Sequence, residues 1–161
     1  FGIFTKAELE SREEILYETY IKTINIEAST MIDMMKKQIL PAVFTYTKRL
    51  ADTVIAVREA GADASVQADV LNQISSKLAD AKRELTALEE KTARGKKVFH
   101  DLQNGINKDA ELKNQKDLAF YYKDAVHVDM DNLRVAVDAL EVLVDREVWP
   151  MPTYAELLFE I

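Results

Sequence analysis

The stretch LNQISSKLADAKRELTALEEKTARGKKVFHDL, Leu71 to Leu102, decides the fold. Leu71, Ile74, Leu78, Ala81, Leu85, Leu88, Thr92, Gly95, Phe99 and Leu102 alternate steps of three and four residues. At ~3.6 residues per helical turn that spacing puts all of them on one stripe, and Lys, Glu, Asp and Arg fill most other positions. A seam held over so many heptads is coiled-coil-like and needs partner helices to bury it. Ala81, Thr92 and Gly95 are small, so a partner should approach closely there. Asp63 or Ser65 can cap the start of this helix, and Asn104-Gly105 ends it.

The partners lie on either side. Thr5-Lys6-Ala7-Glu8 and Ser11-Arg12-Glu13-Glu14 both have the S/T-x-x-E form of a capping box, so a first helix starts at one of them. Tyr17, Tyr20, Ile24, Ala28, Met31 and Met35 recur at helical spacing, and beyond Pro41 the pattern resumes at Ala42, Tyr46, Leu50, Val54 and Val57 until Gly61. Pro41 removes a donor and clashes with the carbonyl of Lys37, so one long helix kinked at Pro41 is expected. A third helix is expected from about Asp109 to Val148, with Met130, Leu133, Val137, Leu140 and Val144 on its seam and Tyr122 and Val126 upstream. Trp149-Pro150-Met151-Pro152 must leave the helix, and Thr153-Tyr154-Ala155-Glu156 offers a capping box for a short tail segment. The expected fold is all-α: an antiparallel bundle of three long helices with coiled-coil-like packing and a short C-terminal tail, one helical domain over 1–161.

Helix lengths do not match in this scheme. A first helix of about 50 residues spans roughly 75 Å against about 60 Å for each of the others. The surplus falls on Leu9 to Ile24, which carries Ile15, Leu16, Tyr17, Tyr20, Ile21 and Ile24. Left exposed, that segment would be an apolar patch of the size that marks an interaction surface. The expectation is that something outside these 161 residues covers it.

Composition narrows the classes of function. A net charge of −7 and a pI near 4.9 repel phosphate backbones and anionic lipid, which argues against nucleic-acid and membrane partners. The chain has no cysteine, so disulfides and thiolate metal sites are excluded, and a cytoplasmic location is expected. It opens on Phe1 rather than Met, as a fragment of a longer polypeptide would. No P-loop, nucleophile elbow or dinucleotide fingerprint occurs, so no catalytic residue is expected here.

Charged clusters receive bland readings. Glu27 and Asp33 are six residues apart and point to nearly opposite sides of a helix, so they are surface or interface charges rather than a catalytic pair. Asp124, His127 and Asp131 share a face, but a di-iron bundle needs two Glu-x-x-His pairs and two further carboxylates; His100, the other histidine, has no acid three or four residues before it. They read as a surface ion-pair row. Lys91, Arg94, Lys96 and Lys97 read as a solvated basic face, and Glu10, Glu14 and Glu18 as an acidic stripe that a basic partner would relieve. A free-standing adaptor binding a partner helix, and a metal-dependent bundle formed by dimerisation around His127, are the competing readings.

ELESREEILYETYIKTINIEASTMIDMMKKQILPA, Glu8 to Ala42, resembles the start of the C-terminal helical domain of type III glutamine synthetases, most specifically in INIEASTMIDM followed by ILPA. The closing WPMPTYAELLFEI is similar to that family's terminal segment. The resemblance implies a non-catalytic structural or oligomerisation domain of an enzyme that makes glutamine from glutamate, ammonia and ATP. ATP and a divalent metal, Mg or Mn, would be held by catalytic domains upstream, and no cofactor in this region. The implied partners are the catalytic domains of the same chain and neighbouring subunits of a homo-oligomer, a dodecamer. The candidate packing interface is Ile15, Leu16, Tyr17, Tyr20, Ile21, Ile24, Glu27 and Asp33, with Trp149 and Tyr154 of the closing segment.

Overall fold

The computed structural model describes residues 5–106, 108–152 and 154–159. Their regular structure is helical, with no strand among the described residues. Helix α1 (Lys6–Met34) passes through one wide turn, Met35–Ile39, directly into α2 (Leu40–Glu59). Helix α3 (Ser65–Gln103) carries the long seam. Helix α4 (Gln115–Tyr121) runs through a second wide turn, Tyr122–Val126, into α5 (His127–Glu141), and α6 (Tyr154–Phe159) is the last described helix.

Local chemistry explains most of these boundaries. Of the two capping boxes it is Thr5 that acts: its N–H donates to Glu8 Oε2 at 2.7 Å, and the Glu8 N–H donates to Thr5 Oγ1 at 3.3 Å. Gly61 and Gly105 have φ of +79° and +67°, the left-handed conformation that ends a helix cheaply only at glycine. At each, the following N–H bonds back to a carbonyl five residues earlier, Ala62 to Val57 and Ile106 to Asp101. Asp63 accepts from the Ser65 N–H at 2.9 Å and starts α3.

The backbone stays helical through Pro41, and the structure shows how. The Leu40 N–H reaches back five residues to the Met35 carbonyl, so one turn holds an extra residue just before the ring. The third helical segment is shorter than its apolar pattern suggests, 115–141 instead of about 109–148. Asn114, not Asp109, caps it, accepting from the Asp117 N–H at 2.9 Å. Asp109 is engaged in the preceding loop, where it accepts from the N–H groups of Glu111 and Leu112 and from Arg94. Past Glu141 the chain turns at Asp145, whose carbonyl accepts from the N–H groups of Val148 and Trp149.

The chain divides into two compact units, Phe1–Ile32 with Leu85–Asn132 and Asp33–Glu84 with Leu133–Ile161. In the second, Met35, Ile39, Val43, Ile74, Leu133, Leu140 and Trp149 are buried, and the Arg146 guanidinium bonds Glu156 of α6. In the first, Ile21, Ile24 and Ala28 of α1, Leu85, Leu88, Thr92 and Val98 of α3, and Leu118, Tyr122, Val126 and Met130 are buried. The seam of α3 departs from its heptad at one end. Val98 is buried while Phe99 is half-buried beneath the Lys22 ammonium.

Gly95 is a point of close approach in this unit. A Cβ built there would lie 2.7 Å from Cζ of Tyr122, a ring that is fully buried. The small residue admits a tyrosine side chain from the wide turn, and the Tyr122 hydroxyl lies 3.4 Å from Asn25 Oδ1 on α1. Gly95→Ala gains up to ~1 kcal/mol of helix propensity but overpacks a core, at a cost of about 1–3 kcal/mol. The expected outcome is a lower urea midpoint for Gly95→Ala, partly restored when Tyr122→Leu is added; an unchanged midpoint would contradict this packing.

Candidate interaction face

The predicted interface residues separate when placed on the structure. Ile15 and Leu16 are 58% and 70% exposed, and Leu9 before them is exposed too. Tyr17 and Tyr20 are half-buried. Ile21 and Ile24, expected in the overhang, are instead core residues of the first unit, at 1% and 7% exposure. The overhang is therefore shorter than helix lengths suggested. The start of α4 reaches beside α1, where the Lys116 ammonium stands 3.7 Å from Glu13. Glu27 is exposed, Asp33 is exposed and paired with Lys37, and Trp149 is buried in the second unit. The side chain of Tyr154 and the whole of Thr153 lie outside the described residues.

Two concavities adjoin this part of α1. An apolar pocket of about 170 Å³ is lined by Tyr17, Tyr20, Ala119, Phe120 and Lys123. An open cleft of about 520 Å³ is lined by Glu10, Glu13, Glu14 and Tyr17 on one side and by Leu102 and residues 113–116 on the other. Tyr17 belongs to both, and its hydroxyl donates to Glu13 at 2.6 Å, which pushes the phenol pKa up. Burial raises the Tyr20 phenol too, helped by Asp124 and Glu27. Phe120 is the member sequence reasoning missed. It sits off the seam of its helix and is 47% exposed. An unexplained aromatic beside the Tyr121-Tyr122 pair was the available signal.

The charged clusters resolve into structural contacts. Lys91 and Arg94 do not simply form a solvated basic face. The Lys91 ammonium donates to Asp129 Oδ1 at 2.8 Å, and the Asp129 side chain is only 6% exposed. Arg94 bonds Asp109 and Glu111 and lies over the Tyr121 ring, 5.3 Å from its centroid. Lys96 and Lys97 are exposed. In the acidic stripe Glu18 is held below the usual carboxylate range, first by its hydrogen bond with Lys22. His127 Nδ1 stands 3.4 Å from Asp131, and Asp124 falls in the wide turn ahead of it. Among the described residues no group of three acidic or histidine side chains is placed to hold a metal ion. No described helix is long and apolar enough to cross a membrane.

The Lys91–Asp129 pair also matters for folding, because Asp129 Oδ2 is buried without a hydrogen-bond partner among the described residues. Removing Lys91 would leave that carboxylate uncompensated. Lys91→Met should therefore cost about 2 kcal/mol, at the low end for a buried pair since the ammonium is half exposed. Asp129→Leu added to it should recover most of the loss in a double-mutant cycle of urea midpoints.

Burial pushes the Tyr121 and Tyr122 hydroxyls above the ordinary tyrosine value. A raised folded pKa favours the neutral phenol, so this stability is complete below an unfolded pKa near 10 and is lost as pH rises beyond it. The expected outcome is a Tm that falls above about pH 10, less steeply in Tyr122→Phe, read by circular dichroism.

Comparison with known proteins gives consistent relatives. Residues 1–58 match the family model described as the glutamine synthetase C-terminal domain. Over 99% of its length the chain is 32% identical to a glutamine synthetase of Butyrivibrio fibrisolvens. It is 29% identical over 98% of its length to a type-3 glutamine synthetase of Dictyostelium discoideum, and 27% identical over 98% to a glutamine synthetase of Bacteroides fragilis. The chain spans about a fifth of the length of these curated relatives, 21%, 20% and 20% respectively. No solved structure matches it.

Proposed function

We propose that this chain belongs to the family of glutamine synthetase C-terminal domains and is the non-catalytic structural end of a type III enzyme that joins ammonia to glutamate at the expense of ATP. The observation that carries the reading is the likeness along nearly all of this chain to about a fifth of each relative. A stretch that corresponds to so small a share of a glutamine synthetase is a module of that enzyme, and the catalytic groups, nucleotide and divalent metal belong to the remainder.

In this reading the helices form an antiparallel bundle whose first helix is kinked at Pro41, and they serve packing against the catalytic domains and between subunits of a homo-oligomer. The chemistry of its side chains suits that role. Lys91, Arg94, Asp109 and Asp129 hold helices and loop to one another, whereas the exposed apolar side chains of α1 have no such internal task.

The test is capture of the native polypeptide from its source with an antibody to this sequence, followed by intact mass and a glutamine-forming assay. The expected result is a mass about five times 18.3 kDa with ATP-dependent glutamine formation. A mass near 18.3 kDa, or a long polypeptide without the activity, overturns the proposal.

A further inference from the structure

Helix α1 carries a second stripe on the side away from its buried Ile21, Ile24 and Ala28. Leu16, Thr19, Thr23, Ile26 and Thr30 follow one another by steps of three and four residues, the spacing of a seam that packs against another helix. Every one of them is exposed, Leu16 at 70% and Ile26 at 65%, and Ile15 flanks them at 58%. The stripe bears no charge between Leu16 and Thr30; the same spacing continued toward the amino terminus reaches Arg12 and Leu9. Its hydroxyls are already engaged. Thr19 donates to the Ile15 carbonyl at 2.8 Å, Thr23 to that of Thr19 at 3.0 Å and Thr30 to that of Ile26 at 2.9 Å. Covering the stripe would therefore strand no donor. A helix with uncharged rows on two sides is suited to packing on both, and among the described residues α1 is packed on one.

We propose that the stripe from Leu16 to Thr30 receives the apolar face of a helix from the part of the same polypeptide that precedes residue 1. The inference rests on the reading that this chain is the end of a longer glutamine synthetase, and it names the surface by which that end is held. Length and connection select the occupant. About four-fifths of each relative lies outside the stretch matched by this chain. In that reading the remainder joins at Phe1, five residues ahead of the start of α1 at Lys6. A tethered segment meets the stripe at an effective concentration on the order of millimolar, which a second copy or an unrelated protein would have to match from free solution. The stripe also sets the chemistry of its occupant. An uncharged row at helical spacing is complemented by Leu, Ile, Val or Ala at the same spacing, whereas a charge placed opposite it would lose water without gaining a partner.

The full-length polypeptide carrying the photoreactive analogue p-benzoylphenylalanine in place of Ile15, at the edge of the stripe, tests this. The expected adduct keeps the mass of one chain under denaturing conditions and maps by mass spectrometry to a residue that precedes residue 1. Its yield should fall about tenfold when Leu16→Asp and Ile26→Asp are added, because ionised carboxylates would then have to be buried unpaired. Both positions are exposed, and circular dichroism of the variant verifies that it folds. The same analogue at Val135, 69% exposed on the second unit, should give no adduct to that segment. An adduct of doubled mass, which marks a second copy, overturns the proposal, as does one to an unrelated protein, one confined to residues 1–161, or none at all. A yield indifferent to the two substitutions overturns it too. Failure of this contact in a polypeptide of full mass and activity leaves the glutamine synthetase reading standing, whereas a native mass near 18.3 kDa removes both.

Discussion

The meeting of Gly95 with Tyr122 is the constraint on which the first unit depends. A helix lined with Leu and Ile could slide along a partner by a turn with little penalty, since one aliphatic contact replaces another. A large planar ring lodged where the opposing helix has no Cβ allows one register only. The second wide turn belongs to the same arrangement, for it carries Tyr122 and Val126, both of them fully buried. From that fixed register follow the Lys91–Asp129 bond, the Tyr121 hydroxyl on the Lys91 carbonyl, and Arg94 over the Tyr121 ring.

What sequence could and could not reveal divides along physical lines. Stops written in one residue were legible, since Gly61 and Gly105 are needed for a backbone conformation other residues avoid. The seam was legible because burial follows period, as Ile74, Ala81, Leu85, Leu88 and Thr92 show. The start of the third helical segment was not, for Asp109 and Asn114 are both sound caps, and Asp109 is taken up in the loop by the Glu111 and Leu112 N–H groups and by Arg94. Neither wide turn could be read, since an inserted residue leaves an apolar pattern on either side that still looks continuous.

The candidate face was partly legible for the same reason. Exposed Ile15 and Leu16 stood out against the surrounding charges, but Ile21 and Ile24 on the same helix have identical local character and are core. Separating them required knowing how far α4 reaches. Phe120 joined the site from a distant stretch of chain, a relation no helical spacing encodes. Arg94 showed the converse error: four basic residues clustered in sequence look like one surface, although two of them serve tertiary bonds.

The placement of the aromatics has an optical consequence. The sole tryptophan, Trp149, is buried in the second unit, whereas Tyr17, Tyr20, Tyr121 and Tyr122 lie in the first. Tryptophan emission therefore watches one unit, and tyrosine absorbance is weighted toward the other. Helices α1 and α3 contribute residues to both units, so their backbone signal averages the two. Coincidence of the three signals through a denaturant titration is the criterion for all-or-none melting. The native chromophores thus distinguish a protein that melts as a whole from one whose halves let go in turn, with no label added.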